Sequence, residues 1–413
     1  LLRHADPAQA RYRSIVALTA LLLAVADTQP LVLVLEDLHW ADPASLDLVR
    51  ALLAEARKAP ILLLCVYRPG QHYDCSQLPV LASRRLPGQV TEVEVRELST
   101  DQMRQLLEGL LRPHRLPFAL FERIEDQAQG NPFFAEEIVR SLIDSGQIAR
   151  NGGVWVMVAR LDDLVPGHAA VTPGIDTLVQ SRLDRLDPAQ RSLLQAAAVV
   201  GTSFDLRVLA LLQATPLSAN AMRDLEQRGF VLCERLLPNP EYTFKHVLLH
   251  EAVYNTLPAQ HRASLHEQAA QAIERIYADD VDAHVEQLAQ HYLSTANHAA
   301  AVRYLMRAGA KARRSFLNEQ ACRYFEQALE RCGLLDPAQS DEEWQLTRAD
   351  LWLQLGRVLL SSGKFSEGEV AFREALVIGE AYGWNVQAIV DAVYWLGEAL
   401  FWQGKLEDLG PEA

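Results

Sequence analysis

Leu31-Val32-Leu33-Val34-Leu35-Glu36-Asp37, followed at once by Leu38-His39-Trp40-Ala41-Asp42-Pro43, is the stretch that decides the fold. Five apolar residues with no polar alternation read as a strand buried on both faces, the condition of a central strand in a parallel α/β sheet. Carboxylates at the C-terminal end of such a strand lie where these sheets bind ligands. Two adjacent acids there repel each other and resist desolvation unless a cation or a hydrogen-bonded water compensates them. Glu36 and Asp37 therefore suggest Mg2+-nucleotide chemistry. The plainer alternative is that they cap the next helix, although Asp42-Pro43 already supplies an N-cap followed by Pro at N1.

Around this strand the pattern predicts a helix over Ala8 to Ala26 and another from Pro43 to Lys58. A second buried strand, Ile61 to Tyr67, ends in Arg68-Pro69-Gly70. Strand, crossover helix and strand make a parallel unit, and Arg68 falls at its C-terminal edge beside the two carboxylates, where an ion pair with one of them is its structural reading. Thr91-Glu92-Val93-Glu94-Val95 alternates and predicts a third strand nearer a sheet edge.

The string LVLVLEDLHWADPASLDLV closely resembles the Walker B segment of the large bacterial signal-transduction (STAND) ATPases, related to the AAA+ proteins. The resemblance implies that the first acid, Glu36, holds Mg2+ and the second, Asp37, polarises the attacking water; many relatives carry Asp at the first position. It also implies that Arg68 occupies the sensor 1 position, reading the γ-phosphate through charge-assisted hydrogen bonds.

A phosphate cradle needs G-x-x-x-x-G-K-[ST], so that backbone N–H groups, a lysine and a hydroxyl converge on the phosphates and the metal. That string does not occur: Gly363-Lys364 precedes Phe365 and Gly404-Lys405 precedes Leu406, and both pairs fall in a helical region. Only 30 residues precede Leu31, and the sequence starts with Leu1. The expectation is a piece of a longer protein, with the first strand, the phosphate loop and the first helix upstream.

The length of 413 residues suggests about two to four domains, and a hydrophobic content of 49% supplies ample core. A formal net charge of −14 argues against a nucleic-acid-binding surface, which needs clustered Lys and Arg. The five cysteines include no C-x-x-C pair, which points to reduced structural thiols. The longest apolar run, Ile15 to Ala26, contains Thr19 and is shorter than the roughly 20 residues that span a bilayer. A cytoplasmic location without membrane contact is expected.

Ser99 reads as the N-cap of a helix over Asp101 to Leu111. Further on, Gly130-Asn131-Pro132-Phe133-Phe134-Ala135-Glu136-Glu137 starts a helix, with Pro at N1 after an Asn cap. That chemistry alone accounts for the tripeptide. In context, GNPFFAEEIVRSLIDSG is similar to the GxP motif of the same ATPases, which implies that Pro132 packs on the adenine. Gly152, Gly153, Pro166 and Pro173-Gly174 punctuate a linker that holds one short hairpin strand, Val154 to Val158. Helices then follow over Pro188 to Val200, Leu206 to Gln213 and Ala219 to Arg228, before two strands, Gly229 to Cys233 and Glu241 to Phe244, around Pro238-Asn239-Pro240. Three helices and a two-stranded wing make a winged-helix pattern, yet Arg223 and Arg228 are outnumbered by nearby acids.

Phe244-Lys245-His246-Val247-Leu248-Leu249-His250-Glu251 matches in position the Met-His-Asp motif of related switch ATPases. The resemblance implies that His246 touches the β-phosphate of ADP, with Val247 in place of the Asp. The alternative is a satisfied structural histidine. From His261 onward Trp352, Leu355, Gly356, Leu359, Phe372 and Ala375 hold tetratricopeptide-type positions. Leu305, Ala308, Gly309, Ala321, Phe325 and Ala328 repeat the spacing, and Val393, Leu396, Gly397 and Leu400 begin a third copy. Such repeats form an extended surface for a protein partner or a small-molecule inducer.

The reading is an incomplete parallel α/β P-loop NTPase portion, followed by an all-α lid, a winged helix and a TPR-like helical solenoid, predominantly helical overall. Its expected boundaries are residues 1–98 for the ATPase portion, 99–150 for the lid, 151–174 for the linker, 175–260 for the winged helix and 261–413 for the repeats. The resemblance implies an ATP- and ADP-dependent, Mg2+-requiring signalling switch that self-oligomerises and makes no direct nucleic-acid contact through these residues. The alternative is a repeat-based scaffold with a degenerate, non-hydrolysing ATPase remnant.

Overall fold

The computed structural model describes residues 7–68, 74–111, 118–151, 154–158, 175–213, 219–235, 238–334 and 342–405. The chain divides into two compact units, one formed by Leu1–Glu94 with Leu305–Ala413 and the other by Val95–Tyr304. Helices predominate in both.

In the first unit α1 (Pro7–Thr28), β1 (Leu31–Leu35), α2 (Pro43–Glu55), β2 (Ile61–Cys65) and α3 (Leu78–Arg85) follow one another. β1 and β2 are parallel, in register from Leu31 opposite Ile61 to Leu35 opposite Cys65, as a β-α-β crossover requires. Asp42 caps α2 by accepting from the Ser45 N–H at 2.7 Å, with Pro43 in the first turn. Leu46, Val49 and Leu53 of α2 and Leu78 and Ala82 of α3 form the core on which Leu35, Leu63 and Cys65 pack.

Two expectations fail here. The first strand is not buried on both faces: Val32 is 59% and Leu62 61% exposed, and Val34 and Leu64 share that open face. The helices that follow the strands cover one side of a two-stranded sheet, and the described residues place no layer on the other. Nor do residues 91–95 form a strand; Val93 and Val95 lie exposed in irregular chain. Alternation supplies one covered face, whereas a strand also needs a partner edge, and none is offered to this segment among the described residues.

The second unit opens with α4 (Thr100–Leu110), α5 (Phe118–Ala128) and α6 (Pro132–Asp144). Ser99 and Gln102 close a reciprocal capping box at the start of α4. Met103, Leu107, Phe121, Ile124, Ile138 and Leu142 bury the apolar stripes of the three helices against one another. The hairpin strand expected near Val154 is present as β4 (Val154–Met157), and its antiparallel partner is β3 (Ile148–Asn151). Most of the expected linker, including Pro166 and Pro173-Gly174, lies outside the described residues.

Next come α7 (Ile175–Leu183), α8 (Pro188–Val200), β5 (Ser203–Asp205), α9 (Leu206–Leu211), α10 (Ala219–Gln227), β6 (Val231–Arg235) and β7 (Glu241–Phe244). The three expected helices and two strands are there, with a third strand, β5, added: the sheet runs β5-β7-β6, antiparallel throughout. Asp187 caps α8 through the N–H groups of Ala189 and Gln190. The unit continues through α11 (Val247–Asn255), α12 (Ala259–Ile276) and α13 (Val285–Leu293).

Helix α14 (His298–Arg314), whose Leu305–Arg314 part belongs to the first unit, opens the TPR-like repeats with α15 (Asn318–Cys332). α16 (Glu342–Ser361) pairs with α17 (Phe365–Ala381), and α18 (Val386–Gln403) follows. The repeat logic is visible in two contacts. A Cβ built on Gly309 would stand 2.7 Å from the Phe325 ring, and one built on Gly356 2.6 Å from the Phe372 ring. Only glycine lets the ring of the second helix lie on the backbone of the first. No described helix is long and apolar enough to cross a membrane.

Within the second unit, Tyr254 of α11, His266 of α12 and His291 of α13 form a buried chain. The Tyr254 hydroxyl stands 2.9 Å from His266 Nε2, and His266 Nδ1 stands 2.9 Å from His291 Nδ1. The two facing Nδ1 atoms have room for a single proton, so the two rings cannot both be charged. Burial, then Arg262, holds His266 down at about 4, and burial, then His266, holds His291 down at about 3. The unfolded chain takes up protons as pH falls through 6.5 while the folded chain refuses them down to about 4 and 3. Stability is therefore complete above pH 6.5 and declines below it, by about 1.4 kcal/mol per pH unit for each ring. Urea midpoints measured between pH 4 and 7 should fall with this slope and flatten in His291→Asn; an unchanged slope in that variant refutes the account.

Candidate functional site

In the first unit the candidate groups sit where β1 and β2 end. The Val66 N–H donates to the Leu35 carbonyl at 2.8 Å and the Leu38 N–H to the Val66 carbonyl at 3.1 Å, so the two strand ends stay laced beyond the ladder. Glu36 and Asp37 follow directly and are exposed. Asp37 adopts the left-handed conformation, φ 52° and ψ 35°, and the chain turns there into the short 3-10 stretch Leu38–Trp40. Aspartate tolerates this region better than most residues because its short side chain can bond locally.

The capping alternative for the acid pair has no support in this geometry. Helix α2 is capped by Asp42, and Asp37, at the start of the 3-10 stretch, makes no side-chain cap bond. Asp37 Oδ1 lies 3.9 Å from Nδ1 of His39, whose side chain is 2% exposed. The Glu36 carboxylate makes no hydrogen bond among the described residues. Arg68, exposed at the end of β2, makes no ion pair with Glu36 or Asp37 there, so the simple ion-pair role is not observed either. Two adjacent, exposed carboxylates at a parallel strand's C-terminal end match how Mg2+ is usually held, by one or two carboxylates with substrate phosphates completing the shell. No group of three or more His, Cys, Asp or Glu side chains able to cage a metal occurs among the described residues.

In the second unit the candidates Pro132 and His246 are brought to one place. The chain reaches α6 through Gly130, at φ +78°, where a Cβ would stand 2.6 Å from Glu97 Cβ and 2.9 Å from the Leu98 carbonyl. Asn131 caps the helix by accepting from the N–H groups of Phe133 and Phe134, at 3.0 and 3.4 Å. Pro132 then stands exposed in the first turn and Phe133 turns inward. The Phe133 ring lies 4.3 Å, centroid to centroid, from the ring of His246, the second residue after β7 and the N-cap position of α11.

His246 is held below the ordinary histidine range by its burial first and then by Lys245; Glu136 and Glu137 oppose the shift and Arg140 adds to it. It is therefore neutral at pH 7, with one N–H to donate. Lys245 is ion-paired to Glu136 of α6.

One residue that sequence reasoning passed over fixes this arrangement. Arg182 of α7 is fully buried and its guanidinium meets an acceptor on every side. It donates to Glu137 Oε2, to Asp144 Oδ2 at 3.2 Å and to the Arg228 carbonyl at 2.6 Å. Its plane stacks on the Phe230 ring at 4.3 Å. Glu137 is 1% exposed. The signal available in the sequence was Glu136-Glu137 in the second turn of a strongly amphipathic helix, where the inward acid demands a buried partner.

Comparison with known proteins finds one family match, over the first portion. The model described as the AAA ATPase domain matches residues 2–64. An uncharacterized protein of Rhizobium meliloti (strain 1021) is 28% identical over 398 residues, which is 94% of this chain and 36% of that protein. The chain thus spans about a third of that relative's length. Among solved structures, the crystal structure of a Signal Transduction ATPase with Numerous Domains (STAND) protein with a tetratricopeptide repeat sensor from Pyrococcus horikoshii aligns with a TM-score of 0.41. Its identity is 10%, over 95% of this chain and 56% of that one. The similarity to the AAA ATPase domain is thus confined to residues 2–64.

The Arg182 cluster gives a test. Arg182→Met strands Glu137 and should cost about 3–5 kcal/mol, the usual penalty for leaving a buried charge alone. Combining it with Glu137→Leu should restore most of the loss. Urea unfolding of the two single variants and the double one measures the coupling, and additive losses show that the pair does not hold α6.

Proposed function

We propose that this chain, AAA-type over residues 2–64, is part of a STAND-type ATP-dependent signalling switch in which nucleotide state is read by the lid helix α6 and the winged-helix-type unit that carries His246. The observation that carries the reading is the pair of adjacent carboxylates, Glu36 and Asp37, exposed at the C-terminal end of a strand whose parallel neighbour leads to Arg68. Glu36 and Asp37 would hold Mg2+, which supplies charge neutralisation on the phosphates of ATP when bound. Asp37 would orient the attacking water and accept its proton; Arg68 would hold the terminal phosphate by charge-assisted hydrogen bonds. Pro132 would pack on the adenine, and neutral His246 would donate its N–H to the β-phosphate of ADP. The TPR-like repeats would sense a protein or small-molecule signal, and self-oligomerisation would be the output. We place the action of this switch in the cytoplasm.

Asp37→Asn is a clean probe because Asn also tolerates the left-handed backbone found there. In the intact protein it should leave nucleotide binding in place and lower ATP turnover by roughly 10²-fold or more, the usual loss for a positioned base. Unchanged turnover at unchanged binding makes the acid pair inert and favours the repeat-scaffold alternative.

A contact made only in the ADP-bound state shifts a two-state equilibrium by its own differential strength. Hydrogen bonds to charged groups contribute about 1.5–3 kcal/mol, so His246→Ala should speed ADP release by roughly 10-fold or more and raise signal-independent output. A normal ADP off-rate with a lowered melting temperature instead marks His246 as a packing partner of Phe133 alone.

A further inference from the structure

The turns that end α14, α16 and α18 are built alike. After α14 the Phe316 N–H donates to the Arg313 carbonyl at 3.0 Å and the Leu317 N–H to the Ala312 carbonyl at 2.9 Å. After α16 Gly363 and Lys364 donate to Leu360 and Leu359, and after α18 Gly404 and Lys405 donate to Phe401 and Leu400. Such a turn puts its middle residue in the left-handed region, where glycine is the usual occupant because it has no Cβ. Gly363 and Gly404 conform, at φ +75° and +71°, and a Cβ on either would meet nothing within 4 Å. Glycine is wanted there for its backbone, not for room. Phe316 stands at the matching place with φ 59°. For so bulky a residue this backbone is strained, and strain of this kind collects at ligand clamps and switches.

Phe316 lines a cleft of about 500 Å³ within the first unit, together with Leu317, Tyr12 and Ile15 of α1, and Pro43 at the start of α2. A volume of that size holds a small organic molecule. Tyr12 is 68% exposed and Phe316 partly so, which leaves ring surface open to a ligand. Among the charged side chains of the lining, Asp47 is paired with Arg50 at 2.8 Å. Asp42 spends only Oδ1, on the cap of α2. Glu319 and Arg323 of α15 also line the cleft, and neither makes a hydrogen bond or ion pair among the described residues. Leu317 gives α15 no side-chain cap, and each of the two helix starts adds about half a positive charge. Two carboxylates are thus balanced by one guanidinium and two helix starts. A lining that carries both signs in near balance favours a ligand that carries both.

We infer that this cleft binds a free amino acid with an apolar side chain. Its ammonium group meets Glu319 and Asp42, its carboxylate meets Arg323 and the first N–H groups of α15, and its side chain lies on Phe316 and Tyr12. The strained backbone of Phe316 is then the cost of placing a ring in the cleft where the matching turns keep glycine. The inference rests on the small-molecule sensing proposed above and names its chemistry. Its test reads binding alone, so it can fail while the ATPase reading stands.

The test is calorimetric titration of the full chain with L-phenylalanine, phenethylammonium and 3-phenylpropanoate, three ligands that share one ring and differ in charge. Phenylalanine should bind about tenfold or more tightly than either of the others, since each lacks one charged hydrogen-bonding group. Glu319→Gln should weaken phenylalanine about tenfold and leave phenylpropanoate unchanged; Arg323→Gln should weaken phenylalanine likewise and leave phenethylammonium unchanged. Phe316→Gly should lose phenylalanine binding yet melt at or above the wild-type temperature without ligand, because the turn is relieved and the ring serves the cleft. A lower melting temperature for Phe316→Gly makes the ring a packing group and overturns the inference. Absence of phenylalanine binding overturns it too, as does equal affinity for all three ligands or a phenylalanine affinity unmoved by both Glu319→Gln and Arg323→Gln.

Discussion

A guanidinium cut off from water must find an acceptor for its donors inside the protein, and around Arg182 that requirement ties four pieces of chain together. Glu137 and Asp144 come from α6, Arg182 itself from α7, the Arg228 carbonyl from the turn after α10, and the Phe230 ring from the start of β6. No single-element slide satisfies all of these partners again, so the angle of α6 to β6 is set by hydrogen-bond geometry rather than by apolar contact alone. Pro132 and Phe133 ride on the first turn of that helix. β6 pairs with β7, and β7 delivers Lys245 and His246. The Phe133–His246 contact is thus a consequence of a buried ion cluster more than a turn away, and the Glu136–Lys245 pair closes the same seam nearer the surface.

The parts of this arrangement that depend on neighbours in sequence were legible before the structure. Asp42-Pro43, Ser99 and Asn131-Pro132 each announce a helix start through the side chain that meets its first free N–H groups, and each does so. The Gly309 and Phe325 pairing of the repeats, echoed by Gly356 and Phe372, was equally plain because small-against-large packing leaves a spacing that can be counted. The position of Glu36 and Asp37 at a strand end followed from the apolar run before them.

What depended on distant partners was not legible. Five consecutive apolar residues in β1 carry no phase, so they could not say which face α2 and α3 would cover. Thr91–Val95 has the alternation of a strand without an edge to join. Glu137 and Arg182 are 45 positions apart, and His266 and His291 are 25 apart. Each partner looks ordinary by itself: an acid in a charged helix, a histidine in a polar one. Strand β5 was missed for a related reason, since three residues between two helices give no period to count. For the candidate site the pattern marked Pro132 and His246, while the residue that joins them, Phe133, stood beside the marked proline and drew no attention.

Arg182 and Arg313 show that burial alone does not decide how an arginine is satisfied. Both are arginines on helices that also pack apolar neighbours, and both have left the solvent in whole or in part. Around Arg182 the acceptors come from the chain itself, so the charge is compensated before any ligand arrives and its removal is felt as lost stability. The charges that act on Arg313 are those of two cations, Arg357 and Arg314, and its Nε is sealed from solvent with no hydrogen-bond partner among the described residues. Desolvation is the same cost at both arginines, met by acceptors at Arg182 and left unmet at the Nε of Arg313. Even the Arg182 cluster is met on one side only at Glu137, whose Oε2 accepts from Arg182 while its Oε1 is buried without a hydrogen bond among the described residues.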